Sequence, residues 1–460
     1  MRGLGRCVLE LESTEDTEWY REVVLWGCTH DLSYDTQCEG TRAWYMRELV
    51  RRFQEENSFV EAVIQKLLQY RPNGGWAFSY YCELLGLFAQ EGHREAFMAL
   101  ARKYEELYGI LRSKEKRGKD GTLPEGDDFE TLCISMVDIA AQPLVLYADK
   151  IAEDIGTLMM ENPLLECSFE WLFMHCERTY GKEKVRKLLA KRAKASPAVS
   201  RYFEDGIARD TEMSREKSRQ PVPQTTEDML KSIDEEKKRD QESGCSGWQV
   251  RRLGLRVRAW IKKTGNTEAL SVLAQRYLTE QDSLERAKLL FIFGSDCPFP
   301  LSPEPLIQDA RAGDETLREA AFYALENVRH EKVHQFALEL AEGKGNVSEA
   351  VSLLANHYQK EDRELLARLV KSIPVTYDDR EDWHGVYSTV LDLLKTKGIK
   401  AAPKELLPYL YEHTLCSMCR EYIVREMGRR HMVTEELLRE CLYDSNYEIR
   451  SYARKRIKET

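Results

Sequence analysis

Apolar residues recur along this chain at offsets of three and four, the spacing that gathers them on one stripe of an α-helix. Tyr45, Leu49, Val50 and Phe53 follow it, as do Phe59, Val63, Leu67 and Tyr70. Pro72-Asn73-Gly74-Gly75 then interrupts with turn-forming residues. The next stripe, Trp76, Tyr80, Leu84, Leu87 and Phe88, ends at Gly92, and Ala96, Leu100, Tyr104, Leu107 and Leu111 continue on a partner. Two stripes joined by a short glycine turn predict an antiparallel helical hairpin. Residues 114–128 are charged and carry Gly118, Gly121, Pro124 and Gly126, so a surface loop is expected there. Helical patterns resume over 129–147 and 163–195.

From 206 to 247 the character changes. Large apolar residues thin out, Pro221-Val-Pro223 appears, and mixed charges run from Asp228 to Glu242, with room for one solvated helix. This composition reads as a charged linker. After Trp248 a repeat becomes legible. Leu317-Arg318-x-x-Ala321-x-x-x-Leu325 returns as Ile449-Arg450-x-x-Ala453-x-x-x-Ile457, each preceded by an aspartate, Asp314 and Asp444. Cys419-Arg420-x-x-Ile423-x-x-x-Met427 fits as well, and Trp383-His384-x-x-Tyr387-x-x-x-Leu391 fits in spacing with bulkier residues. With Arg318 as the marker, equivalent positions fall at Arg251, Glu285, Ser348, His384, Arg420 and Arg450, in steps of roughly 30 to 36 residues, the range of two-helix repeats. Gly254 and Lys288 occupy the small-residue position of the first two. Asp282-x-x-Glu285, Asn346-x-x-Glu349 and Ser445-x-x-Glu448 supply helix-start signals, and Gly313, Gly343 and Gly345 supply turns. Partner helices carry stripes such as Val333, Phe336, Ala337 and Leu340.

These patterns predict an all-α chain, a superhelical α-solenoid of antiparallel helix pairs: an aromatic-rich N-terminal region over 1–205, a linker over 206–247, and a repeat domain over 248–460. The turn aspartate followed by apolar-Arg-x-x-Ala-x-x-x-Leu resembles the HEAT repeat, including the HEAT-like variety of phycobilin-lyase-type proteins. The aromatic-rich hairpins are similar to those that precede such repeats in bacterial proteins. The resemblance implies ladders of Asp and Arg between adjacent repeats, making Asp314, Arg318, Asp444 and Arg450 structural. No aspartate stands at the expected place before Arg420, so the ladder should be interrupted there. It also implies a non-enzymatic interaction scaffold that takes a protein or peptide partner on its concave face. Some HEAT-like proteins are DNA glycosylases, so nucleic-acid binding is the alternative.

At 460 residues, 42% apolar and 32% charged, the chain exceeds one ordinary core but is unremarkable in class. Its apolar runs are far shorter than the roughly 20 residues a bilayer demands. The first residues lack a signal-peptide core, so a cytoplasmic protein is expected, with its twelve cysteines reduced. Positive and negative side chains cancel over 248–460, so the net charge of −10 belongs to the residues before Trp248. That balance disfavours the N-terminal half as a general nucleic-acid platform.

Four clusters could carry chemistry. His413-x-x-Cys416-x-x-Cys419, with Cys441 beyond, has metal-ligand residue types but no second CxxC pair, and core thiols are the expected reading. Cys28-x-His30-Asp31, with Asp35 and Cys38, lacks a nucleophile signature, and His175-Cys176 point about 100° apart on a helix. The segment from Trp248 to Lys263 places Arg251, Arg252, Arg258, Lys262 and Lys263 beside Trp248 and Trp260, which suits phosphate contact with base stacking but equally a capping helix. Gly3-Leu-Gly5 and Gly343-Lys-Gly345 lack the remaining spacing of a phosphate loop, and the prolines from Pro298 to Pro305 read as a connection between hairpins. No catalytic, metal-binding or cofactor-binding residue, and no cofactor, is nominated.

Overall fold

The computed structural model describes residues 2–14, 16–35, 39–71, 77–113, 124–161, 169–216, 223, 225–243, 247–312, 314–343, 347–374, 380–396 and 402–459. Every regular element among them is helical, and no helix of the described residues is long and apolar enough to cross a membrane. The turn at 72–75, residues 114–123 of the loop expected over 114–128, Gly313, Gly345, Asn346 and Cys38 lie outside the described residues, while residues 124–128 of that loop instead open the helix Pro124–Ile139.

The chain forms two compact units. One comprises Met1–Arg219 with Leu415–Glu421 and His431–Thr460; the other comprises Gln220–Thr414 with Tyr422–Arg430. In the first unit the helix Ala77–Gln90 is central, packing against Ala43–Val50, Glu56–Gln69, Arg94–Arg112 and Pro124–Ile139. Its sequence explains the position: Phe78, Tyr80, Leu84, Leu85 and Phe88 are buried on more than one side, as in a helix enclosed by neighbours. A further layer sets Ala152–Glu161 on Pro197–Glu216.

Long-range polar contacts close this first unit. Ser445 N–H donates to the Gly3 carbonyl at 2.8 Å, and the Tyr45 hydroxyl donates to the Leu4 carbonyl at 2.9 Å. Gly3 has φ +77°, and a Cβ there would lie 2.3 Å from Ser445 Oγ; one on Gly5 would lie 1.9 Å from the Glu440 carbonyl oxygen. The two glycines therefore permit close backbone approach.

The second unit repeats one packing step. Gly247–Thr264, Ser283–Leu290, Glu315–Leu325, Val347–Asn356 and Arg380–Lys395 pack each on the next, and Ala269–Thr279, Glu304–Ala312 and Glu331–Glu342 pair with Ser283–Leu290, Glu315–Leu325 and Val347–Asn356. Gly254, at the repeat's small-residue position, sits closer to its neighbour than alanine could: a Cβ would fall 2.2 Å from the Phe291 carbonyl oxygen. Lys288, at the equivalent position, is buried but reaches Asp240 at 2.7 Å and Glu285 at 2.8 Å.

That lysine explains the fate of the charged stretch. Thr226–Ser243 is a helix of the second unit, with Met229 and Ile233 buried. Its acids and bases pair with neighbours, as in Asp240–Lys288, Asp234–Arg276 and Lys237–Glu280. Asp234, Glu236, Lys237 and Asp240, which read as part of a solvated linker, thus have specific partners, while Lys231, Glu235 and Lys238 are exposed.

Candidate interaction surface

The helix Glu18–Cys28 is apolar on two opposite sides. Its inner face sends Val24 and Cys28 into the core and lays Arg21 over the Phe59 ring at 4.9 Å. Its outer face carries Trp19, Val23 and Trp26, which are 84%, 53% and 50% exposed. Offsets of four and three put these three on one stripe, directly opposite the core. His30 extends it, stacking on Trp26 with ring centres 4.6 Å apart. The helix packs on Ala43–Val50 and Glu56–Gln69, and its end is pinned by two phenols: Tyr80 donates to the Gly27 carbonyl at 2.6 Å and Tyr81 to the Thr29 carbonyl at 2.9 Å. The stripe is thus presented on a fixed support. Trp171 and Met174 form a smaller exposed patch on the helix Glu170–Tyr180 of the same unit.

A groove of about 870 Å³ opens beside the start of this helix, between the 11–21 and 51–55 segments. Its arginines are internally paired: Arg21 with Glu18 at 3.5 Å and Glu55 at 3.7 Å, Arg51 with Glu48 at 2.6 Å, and Arg52 with Glu48 at 3.2 Å. Glu12, Asp16, Glu18 and Glu55 are exposed on its rim.

The ladder residues find other partners than the repeat pattern suggests. Asp314 Oδ1 accepts the Leu317 N–H at 3.0 Å and its Oδ2 accepts the Ser283 hydroxyl; those bonds lower its carboxyl below the usual range. Arg318 pairs with Glu349 at 2.5 and 2.6 Å. Asp444 is fully buried and takes Arg420 through two bonds, at 2.7 and 3.0 Å. Arg420, where an interruption was expected for want of an upstream aspartate, thus finds its acid downstream. Arg450 donates instead to the Asp444 and Ser445 carbonyls at 2.7 and 2.8 Å and lies 3.6 Å from the Trp44 ring centre; burial pulls its guanidinium down to about 10. The helix start read at Ser445 is capped by Asn446, whose side-chain oxygen accepts the Glu448 N–H at 2.7 Å, because the Ser445 hydroxyl is occupied by Arg420 at 3.0 Å. Asp282 caps as expected, accepting the Glu285 N–H at 2.9 Å.

Of the basic set, Arg251, Arg252, Lys262 and Lys263 lie exposed on the outer side of Gly247–Thr264, with Arg251 paired to Glu319. Arg258 turns away to the Phe291 carbonyl at 2.9 Å and the Tyr323 hydroxyl. Trp260 is buried, its indole N–H on the Pro223 carbonyl at 2.6 Å, and so offers no stacking face; the Trp248 side chain lies outside the described residues.

The cysteine–histidine clusters separate. Cys28 points into the core, where burial pushes its thiol up, while His30 faces outward with Nδ1 2.8 Å from the Trp26 carbonyl oxygen. His175 bonds Asp138 at 2.9 Å, and Cys176 is buried with its thiol pushed up to about 12. His413 turns to the carbonyl of Tyr409 on its own helix at 2.8 Å. Cys416, Cys419 and Cys441 are buried.

Two features escaped the sequence reading. The Trp19-x-x-x-Val23-x-x-Trp26 spacing was legible as a second stripe out of phase with Val24 and Cys28. In the second unit a cleft of about 300 Å³ is lined by His330, His334 and His357. His334 Nε2 lies 3.0 Å from buried Asp362, and burial lowers the pKa of His357, whose Nε2 lies 2.9 Å from the Leu325 carbonyl oxygen. His330-x-x-x-His334 was its signal in the sequence.

No protein-family model and no curated protein matches this chain.

Proposed function

We propose that this chain is a cytoplasmic, non-enzymatic interaction scaffold built on a HEAT-like α-solenoid, of the kind its repeats resemble in bacterial proteins, and that it binds a protein or peptide partner. The observation that carries the reading is the Trp19–Val23–Trp26 stripe. A helix already anchored by its inner face gains nothing for folding from two outward tryptophans, whereas aromatic residues on a rigid support are the usual energetic centres of protein interfaces. The recurring step by which alternate helices of the second unit stack supports the solenoid assignment. Exposed Glu18 and Glu22 flank the stripe, so the partner offers an apolar groove bordered by lysine or arginine.

Each tryptophan buried on binding is worth about 2–4 kcal/mol by truncation, roughly 30- to 1,000-fold in affinity. The test is affinity purification from the native cells, comparing the parent chain with Trp19→Ala/Trp26→Ala. A stoichiometric protein retained by the parent and by a Trp171→Ala control, and lost from the double variant with its melting temperature unchanged, is the expected result. Equal retention by all three chains refutes the surface. Co-purifying nucleic acid released by high salt, and lost on replacing Arg251, Arg252, Lys262 and Lys263, would establish the alternative instead.

A further inference from the structure

Cys416 occupies an unusual place for a buried thiol. It is the residue before the helix Ser417–Arg429, its carbonyl accepts the Arg420 N–H at 3.1 Å, and its sulfur accepts the Cys419 N–H at 3.5 Å. That is the bonding of a helix N-cap with sulfur in place of a hydroxyl oxygen. A sulfur there receives an N–H and faces the helix end that favours negative charge. The second thiol follows three residues on, a neighbour on the helix surface, and the two sulfurs lie within 4.8 Å of each other.

The backbone around the pair is held from both sides. Arg42 donates to the Leu415 carbonyl at 2.9 Å, and the Ser417 N–H donates to Glu39 Oε2 at 2.8 Å. Cys28, Cys82 and Cys133 are fully excluded from solvent, and burial pushes each of these thiols up, keeping it protonated and inert. Cys416 and Cys419 are 6% and 7% exposed, which admits a small molecule more readily than a bulky one.

We propose that Cys416 and Cys419 form a reversible dithiol–disulfide site whose oxidant is a peroxide. The Cys416 thiolate attacks one peroxide oxygen, the O–O bond breaks, and hydroxide leaves to take up a proton as water. Cys416 is then a sulfenic acid. The Cys419 sulfur attacks the Cys416 sulfur, the S–O bond breaks, and a second water carries off the Cys419 proton. The dithiol has lost two electrons and the peroxide has gained them; an external dithiol restores the reduced pair. Cys416 is the attacking residue because it holds the capping position, and Cys419 is the resolving one.

The test treats the full chain with hydrogen peroxide, quenches, unfolds, alkylates the remaining thiols and maps the peptides by mass. The expected result is a Cys416–Cys419 disulfide, reversed by dithiothreitol and formed at least about tenfold faster than any oxidation of Cys28, Cys82 or Cys133. In Cys419→Ser, Cys416 should be trapped by dimedone as the sulfenic acid; in Cys416→Ser, Cys419 should stay reduced. Oxidation of the pair no faster than Cys133 overturns the proposal. So does a stoichiometric zinc ion that protects both thiols, which would make the pair a metal ligand set. The parent-chain mapping decides the matter even if a variant fails to fold.

Discussion

The buried pair Arg420–Asp444 offers the sharpest test of how the first unit closes. Both side chains are fully excluded from solvent, and the carboxylate holds the guanidinium through two bonds. The same arginine reaches the Ser445 hydroxyl at 3.0 Å and the Gly3 carbonyl at 3.4 Å, so it ties the N-terminal residues to the turn before the last helix. Asp444→Ala strands a buried cation and should cost about 3–5 kcal/mol; Arg420→Met strands the acid and should cost a similar amount. The double variant removes both charges, and its loss should fall short of the sum of the singles by at least about 2 kcal/mol. Hydrogen exchange of the helix Tyr447–Glu459, resolved by peptide, is the direct readout, since 3–5 kcal/mol corresponds to about 10²- to 10³-fold or more faster exchange through local opening. The single-variant effect should not spread equally to Val347–Asn356, which belongs to the other unit. Additive single effects, or single losses below about 1 kcal/mol, would refute the reasoning, because either outcome means that water reaches the pair.

Further outcomes follow from neighbouring details. Burial raises the Glu130 carboxyl from its ordinary 4.5 to about 8, against the opposing effect of the Leu172 N–H it accepts at 2.7 Å. The folded chain then holds a proton that the unfolded chain has lost, so this contribution to stability is full below about pH 4.5 and is lost as pH rises towards 8. Glu130→Gln keeps an acceptor for Leu172 and should exceed the parent by about 2–4 kcal/mol near pH 9 while matching it below about pH 5 in chemical unfolding; a difference independent of pH would contradict this. Gly254→Ala should cost about 1–3 kcal/mol because a Cβ meets the Phe291 carbonyl oxygen, whereas Gly385→Ala, in open space on a helix, should stabilise by about 0.5–1 kcal/mol; melting temperatures moving the same way would count against the close approach. Arg318→Ala, which opens a half-exposed pair with Glu349, should cost no more than about 1 kcal/mol, and Arg450→Ala, which leaves two buried carbonyls and the Trp44 face without their cation, about 1–3 kcal/mol; thermal unfolding that reverses the order would refute the assigned partners.

Much of the helical plan was legible. The stripes through Tyr45, Phe59, Leu84 and Leu100 are buried where the spacing puts them, and Asp282 and Asp314 cap their helices, because periodicity and capping depend on residues within one or two turns. Partners across helices were not legible. The resemblance implied that Asp314 and Arg318 stand in a ladder between adjacent repeats, but not that Asp314 takes Ser283 and Arg318 takes Glu349, since side-chain reach is decided by how the helices pack. The charged stretch containing Asp240 read as solvated because Lys288, its partner, lies elsewhere in the chain and carries no local mark of being buried.

The sequence by itself determined that this protein is helical and where many of its helices turn an apolar side inward, since a period of 3.6 residues is a local property of the chain. It also contained the outward stripe of Trp19, Val23 and Trp26, but nothing local distinguishes a stripe that will be covered from one that will be left open. Only the tertiary structure decided that, by spending Val24 and Cys28 on the core and leaving the tryptophans in solvent. It likewise decided that Arg420 meets Asp444 and that Gly3 meets Ser445. Each of these depends on packing, which brings groups together by shape and burial with no regard for their separation along the chain.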